Sequence, residues 1–258
     1  MITLRNLRKL IRHLSHDPAE ALWFIRCYRT WQRSAPDEWK ADVNELRPIL
    51  GDRKSSAGSA RGHYFLQDIW AAQHVYKYQS TCHVDIASRL DGFVGHVVSF
   101  CPVEYVDIRP LDAQVPGLSW VSGTICELPY PDQSVSSLSC LHVIEHIGLG
   151  RYGDPIDPKS WKLALSELAR VLAPGGQLLI GTPCGKSRTV FHAHRVFSPA
   201  QIIDALPELK LVEFSIIKDD SAVKWDPFSK IEDAQNLNYG CGLFRFTRNQ
   251  LNSCIARL

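Results

Sequence analysis

From His83 onward, short apolar runs alternate with stretches whose apolar residues recur every three or four positions. HVDIA, VEYVDI, LSWVSG, SVSSLSCL and QLLIGTP read as strands, the first ending near Asp85-Ile86-Ala87 and the second in Asp107 before Pro110. LKLVEFSIIKDD and YGCGLFRFTRN add two more, joined by a long charged connection from Asp219 to Asn238 with no strong crossover helix. Between them fall the helical segments. HYFLQDIWAAQHVYKY is expected to pack on the sheet through Phe65, Ile69, Ala72 and Tyr76, and a later helix to bury Phe93 and Val97. Asp157-Pro158 caps a helix bearing Trp161, Leu165, Leu168 and Leu172, which stops at Pro174-Gly175-Gly176, and Ser198-Pro199 opens AQIIDAL. Apolar strands alternating with amphipathic helices make a largely parallel sheet covered on both faces.

Ahead of this body lies a helical extension, residues 1–50, then a Gly/Ser-rich linker, GDRKSSAGSARG, at 51–62; residues 63–258 form the α/β domain. The first fourteen residues place Leu7, Ile11 and Leu14 on one side and arginines and lysine elsewhere. Such a basic amphipathic helix suits packing on its own domain, docking to a partner, or peripheral contact with an anionic membrane. Asp17-Pro18 then caps a second helix whose Trp23, Phe24, Tyr28 and Trp31 are read as packing residues.

The bulk numbers narrow the class. The 258 residues are 45% hydrophobic and 22% charged, enough for one substantial core. A net charge of +2 carries no signature of nucleic-acid binding, and none is expected. The eight cysteines form no Cys-x-x-Cys pair and several fall inside apolar strands, the pattern of reduced thiols in a cytoplasmic protein. Arginines interrupt the opening MITLRNLRKLIRHL, so it is not read as a signal peptide, and no apolar run reaches the ~20 residues of a membrane span.

Polar residues at the strand ends carry the chemistry. Asp107 follows Asp85 by 22 residues, near the ~20-residue offset at which a second-strand acid reaches a ribose in dinucleotide-type folds. After the fourth strand, LHVIEHI sets His142, Glu145 and His146 at helical spacing on one face, and downstream His192 and His194 alternate along an extended TVFHAHRVF. Transfer to a hydroxyl needs an aligned oxygen relieved of its proton, so His146 or His194 is the candidate base and Glu145 the group that orients it. GLGRYGDPIDP, residues 148–158, reads equally as a substrate lid offering Arg151, Tyr152, Asp154 and Asp157, the last better placed as a helix cap, and as a surface loop whose glycines serve turns alone.

Over roughly residues 63–250 the chain resembles class I S-adenosylmethionine-dependent methyltransferases. The resemblance rests on HVDIAS, VEYVDIRP, GTICELPYPDQSVSSL, LHVIEHI and LARVLAPGGQLLIGTP. The run HVIEHIGLGRYGDPIDP, with GHYFLQDIWAA and AHRVFSP, is similar to a methyltransferase-like family catalogued as a domain of unknown function, some members of which are associated with glycan biosynthesis. The resemblance implies a Rossmann-like sheet of seven strands with an antiparallel last strand, and methyl transfer to oxygen on a sugar or glycan precursor. It places Asp85, Ala87 and Ser88 beside the methionine part of the cofactor. Asp107 would hold the ribose, Ile108, Thr124 and Ile125 the adenine, and His142 would lie near the sulfonium.

Two departures stand out. The loop usually written Asp-x-Gly-x-Gly-x-Gly has no glycine until Gly92, and Thr124 replaces the acid that reads the adenine amino group. These keep two alternatives open: a non-catalytic module in glycan assembly, and a nicotinamide or nucleotide-sugar fold. A related group of small-RNA 2′-O-methyltransferases binds a divalent ion through Glu-x-x-Glu-His and a later histidine. His142 and His194 fall at two of those positions, where imidazoles and one carboxylate suit a transition metal or zinc better than magnesium; against a metal, such an Ile-Glu-His often only braces the loop, and an acid-base or orienting role is favoured.

Overall fold

A computed structural model describes residues 17–57, 60, 62–218, 224–226 and 229–250. The basic helix expected over the first fourteen residues lies outside them. Two compact units are present, Met1–Ser59 and Ala60–Leu258. In the first, helix α1 (Pro18–Ser34) starts as expected, with the Asp17 carboxylate accepting from the Glu20 N–H and proline in the first turn. Its aromatic residues do not form a core. Trp31 is exposed and donates to the Trp39 carbonyl, and Trp23 lies under the Arg53 guanidinium. Part of the expected linker is folded: a 3₁₀ turn at Asp52–Lys54 pairs Arg53 and Lys54 with Glu20, because a buried carboxylate needs a cationic partner.

The second unit is built on one twisted sheet. In chain order come helix α2 (His63–Tyr78), strands β1 (His83–Ile86), β2 (Val103–Asp107), β3 (Leu118–Ser122) and β4 (Val135–Leu141), then helix α3 (Ser160–Val171). There follow β5 (Leu172–Cys184), β6 (Arg188–Val190), β7 (His194–Val196), α4 (Pro199–Asp204), β8 (Lys210–Lys218), β9 (Lys224–Asp226), α5 (Ile231–Gln235) and β10 (Gly240–Thr247). The sheet order is β3-β2-β1-β4-β5-β10-β8-β9. Neighbours from β3 to β5 are parallel, and β10 runs antiparallel between β5 and β8. This is the Rossmann-like methyltransferase topology, with the last strand reversed as expected. A three-residue strand, β9, adds an eighth member at the edge. No helix among the described residues is long and apolar enough to cross a membrane.

Both faces of the sheet are covered. Helix α3 buries Trp161, Leu165 and Leu168 on one side, and α2 buries Trp70, Ala71 and Val75 on the other. The face of α2 differs from the expected one: Phe65 and Tyr76 are exposed, while Gln67 and Asp68 are buried. The physical reason is two glycines. A Cβ at Gly181 or at Gly92 would stand 2.1 Å from the Gln67 or Asp68 oxygen, so the missing side chains make room for the polar ones. Trp70 then donates to Glu213 on β8 and ties the helix down.

Pro174-Gly175-Gly176 also behaves differently. The helix ends at Val171, and the motif lies inside β5 as a bulge: β4 advances from Val135 to Ser137 while β5 advances from Leu172 to Gln177. Gly175, at φ +74°, turns its N–H to the Arg248 carbonyl. The expected extended run through His192 and His194 is instead a hairpin. β6 and β7 pair around Phe191-His192-Ala193, with His192 at φ +65°, so the two histidines do not share a side.

Candidate functional site

The carboxyl ends of β1, β2 and β4 meet at one edge of the sheet, where ligands sit in this class of fold. Asp85, at the end of β1, is fully buried and accepts from the Ser88 N–H at 2.9 Å, the Ser88 hydroxyl at 2.6 Å and the Ser139 hydroxyl at 2.5 Å. It therefore offers no surface to a ligand, contrary to expectation; it shapes the loop that does. The glycine-poor loop is thus closed by a side chain. Ala87 stands in it at φ +53°, where the family pattern has glycine. We expect Ala87→Gly to raise unfolding free energy by about 0.5–1 kcal/mol, since a left-handed L-residue is strained. A lowered urea midpoint would show that the methyl group packs more strongly than the strain costs.

Behind Asp85 runs a buried chain of hydroxyls. His83 faces Ser137 through Nδ1 and Ser139 through Nε2, each at 2.8 Å. Ser139 gives its proton to Asp85, so it accepts from His83 Nε2–H, and Ser137 donates to Nδ1. Burial pulls His83 down to about 3 and pushes Asp85 up to about 6 from their ordinary 6.5 and 3.8. The sign of each follows from which state holds the proton. Folded Asp85 keeps a proton that the unfolded chain releases above 3.8, so its contribution, roughly 3 kcal/mol, is lost as pH rises through 6. Unfolded His83 takes a proton below 6.5 that the folded protein refuses, so its contribution, roughly 5 kcal/mol, is lost as pH falls toward 3. Between about pH 4 and 6 the two cancel. Asp85→Asn should expose the histidine alone: as pH falls from about 6 to 4, variant stability drops by about 1.4 kcal/mol per pH unit relative to wild type. Parallel stability curves for the two proteins would refute the assignment.

Asp107, at the end of β2, is nearly buried and saturated. Its Oδ1 accepts from the Arg109 N–H at 2.8 Å and Nε at 3.0 Å; its Oδ2 accepts from Arg109 Nη2 at 2.7 Å and the Tyr105 hydroxyl at 3.1 Å. Burial opposes the ionised form, yet the Arg109 hydrogen bonds hold the carboxyl below its usual range. Asp107, Ala87, Ile108, Thr124, Ile125 and His142 all line one cavity of about 480 Å³, apolar over most of its wall. Its size and lining suit an adenosine-like group. Arg109 also packs on the Tyr152 ring at 5.1 Å, joining Asp107 to the 148–158 loop.

A second cavity, of about 410 Å³, abuts the first and shares Ala87, Arg109, His142, His146 and Tyr152 with it. Ser88, Glu145 and His194 line this one. The polar cluster is assembled by a left-handed residue and a 3₁₀ turn (Ile144–His146) rather than by an α-helix. His142 sits at φ +54°, one residue past β4, and its Nδ1 meets Glu145 Oε1 at 2.7 Å. Burial disfavours the imidazolium, but the Cys241 sulfur and Glu145 carboxylate outweigh it and raise His142 well above its ordinary value. Glu145 is lowered in turn, its burial overcome by His142. Glu145 thus holds His142, and Ala193 holds His146: the Ala193 carbonyl lies 2.6 Å from His146 Nδ1, which must donate to it. Nε2 of His146 is therefore the unprotonated nitrogen. Burial lowers this histidine, keeping it neutral near pH 7.

The 148–158 loop is pinned from within. Asp154 accepts from the N–H groups of Gly148 and Tyr152, and Asp157 from Lys159 N–H and the Ser160 hydroxyl, so both acids shape the loop. Arg151 and Tyr152 remain facing the second cavity. Residue patterns alone missed Arg109, His63, Tyr64 and Tyr239 at this edge. Arg109 stood two residues past the strand-end acid, where a reach-back ion pair is available, and was the one with a readable signal.

A family model described as Caenorhabditis protein of unknown function, DUF268, matches residues 132–221, which hold β4, the histidine cluster, the loop and the hairpin. No curated protein matches the sequence. Among solved structures, the [4+2]-cyclase SpnF is similar at TM-score 0.52 and 10% identity, over 76% of this chain and 86% of that one. The Burkholderia thailandensis 1,6-didemethyltoxoflavin-N1-methyltransferase, solved with bound 1,6-didemethyltoxoflavin and S-adenosylhomocysteine, is similar at TM-score 0.50 and 13% identity, over 89% of this chain and 90% of that one. One is titled a cyclase and the other a methyltransferase, so the shared fold leaves the reaction to be argued from the site.

Proposed function

We propose that the protein is an S-adenosylmethionine-dependent O-methyltransferase acting on a small polyhydroxylated acceptor, of the sugar or glycan-precursor class. The observation that carries this is the pair of abutting cavities. One is apolar over most of its wall and is lined by the strand-end acid Asp107; the other is lined by His146, whose Nδ1 is held by the Ala193 carbonyl, and by Glu145 and His194. The residues fit the cofactor provided Arg109 releases Asp107. Asp107 would hold the ribose hydroxyls, Ile108 and Ile125 the adenine, and Ala87 and Ser88 the amino-acid end. Bound there, the cofactor supplies an electrophilic methyl group on a cationic sulfur. The protein aligns the acceptor oxygen and excludes water, and His146 Nε2 takes the hydroxyl proton as the oxygen attacks. Arg151, Tyr152, Tyr64 and Tyr239 give the acceptor cavity cationic and aromatic walls, which favour a hydroxyl-rich, anionic molecule. A reducing compartment such as the cytoplasm suits the cysteines.

One observation favours a second reading, a non-catalytic module: Asp107 already has every acceptor position filled from within the chain. Isothermal titration separates the two. The enzyme reading expects binding of S-adenosylmethionine and of its demethylated product; silence at millimolar cofactor would remove it.

A further inference from the structure

Three residues far apart in sequence converge beside the acceptor cavity: His63 at the start of α2, His142 just past β4, and Cys241 at the start of β10. One nitrogen or sulfur atom of each lies within 4.8 Å of the others. The set is not the one suggested by sequence spacing. Neither His146, whose Nδ1 is spent on the Ala193 carbonyl, nor His194 belongs to it.

We propose that His63, His142 and Cys241 bind a zinc ion, with a fourth position open to the acceptor cavity. Four observations converge on it. Cys241 Sγ and His142 Nε2 stand 3.5 Å apart. Two ligands on a tetrahedral zinc, with bonds of about 2.0–2.3 Å, are separated by about 3.4–3.7 Å. His142 has the partner that metal-bound histidines need. Its other nitrogen, Nδ1, faces the buried Glu145 carboxylate at 2.7 Å, which fixes Nε2 as the ligating atom. The backbone contributes as well: His142 is held at φ +54°, a strained conformation for a non-glycine residue, and such strain concentrates where a side chain must be aimed. Finally, His63 and His142 both line the 410 Å³ cavity, so the ion has an entry path and its open position faces a space for ligand. Two imidazoles and one thiolate are a donor set for zinc rather than magnesium or calcium. Three protein ligands with one vacancy is the pattern of a site that binds an oxygen ligand as a Lewis acid, whatever group is then transferred.

The test uses the full chain, stripped with chelator and titrated with Co²⁺ and then Zn²⁺, without S-adenosylmethionine. One equivalent of Co²⁺ should bind with tetrahedral visible bands and a thiolate-to-cobalt charge-transfer band, and Zn²⁺ should displace it. The charge-transfer band should vanish in Cys241→Ser and persist in Cys126→Ser. Glu145→Gln should weaken Zn²⁺ by about 10- to 100-fold through loss of the supporting carboxylate. His63→Ala, at a helix start, keeps the test decisive if the Cys241 variant does not fold; it should weaken Zn²⁺ at least as much. A cobalt complex with no thiolate band, a band retained in folded Cys241→Ser, or binding of copper but not zinc would overturn the site. Cofactor titration is a separate measurement. Zinc binding without S-adenosylmethionine binding would sink the transferase reading and leave this site standing.

Discussion

Replacing His146 with alanine is expected to lower kcat for methyl transfer by about 10²- to 10⁴-fold, the usual worth of a positioned general base. On the proposed reading the cofactor dissociation constant should change less than in Asp107→Ala, because His146 lies where the two cavities meet while Asp107 lines the first cavity alone. The assignment rests on a tautomer. The Ala193 carbonyl, an acceptor only, lies 2.6 Å from Nδ1 and takes its hydrogen, leaving Nε2 free to receive a proton. Burial keeps the ring neutral below its ordinary 6.5, so activity should hold at pH 6.5 and fall on a limb further to the acid side. Transfer of a labelled methyl group in single-turnover mode isolates the chemical step. A variant with unchanged kcat, or an acid limb that His146→Gln leaves in place, would move the base elsewhere. His194 is the next candidate, since it lines the same cavity.

The strands were legible because burial writes directly into composition, while the reversal of the last one was implied by the family resemblance alone. HVDI, VEYVD and VSSLSCL are too apolar to face water on either side, and the strand-end acids mark the edge where they stop. What was not legible is what depends on chain segments meeting in space. Gln67 and Asp68 look like solvent residues until Gly181 and Gly92 are placed opposite them. Pro174-Gly175-Gly176 looks like a helix stop, and its local chemistry is indeed a turn, but Arg248 recruits it into a strand bulge. The candidate site divides the same way. His142, Glu145 and His146 were visible as a cluster, since three close residues on one turn must be neighbours. Their division of labour was not, because it is decided by Ala193 and Cys241, 47 and 99 residues away along the chain. Asp85 shows the converse: its position was read correctly, and its burial turned a ligand contact into a brace.

Asp107 and Arg109 should give opposite results in cofactor binding. A carboxylate has about four acceptor positions, and here Arg109 N–H, Nε and Nη2 with the Tyr105 hydroxyl occupy four. A ribose can be held only if the guanidinium leaves. Asp107→Ala removes the acceptor itself; with charged hydrogen bonds worth about 1.5–3 kcal/mol each, S-adenosylmethionine should bind at least about 100-fold more weakly. Arg109→Ala removes only the competitor. Its side chain is 58% exposed, so the ion pair is screened and worth at most about 1 kcal/mol, and affinity should rise by up to about fivefold. The same guanidinium lies 5.1 Å from the Tyr152 ring, so Arg109→Ala should also loosen the 148–158 loop, seen as faster amide exchange there. Titration calorimetry on the two variants therefore reads more than affinity. Weaker binding in one and tighter in the other identifies Arg109 as a displaceable occupant of a working site. Weaker binding in both would make Arg109 part of the cofactor's own contacts, reaching its phosphate-free ribose from the loop side. No binding in wild type or Arg109→Ala would mean that the acid exists to hold the arginine, which is the prediction of a non-catalytic module.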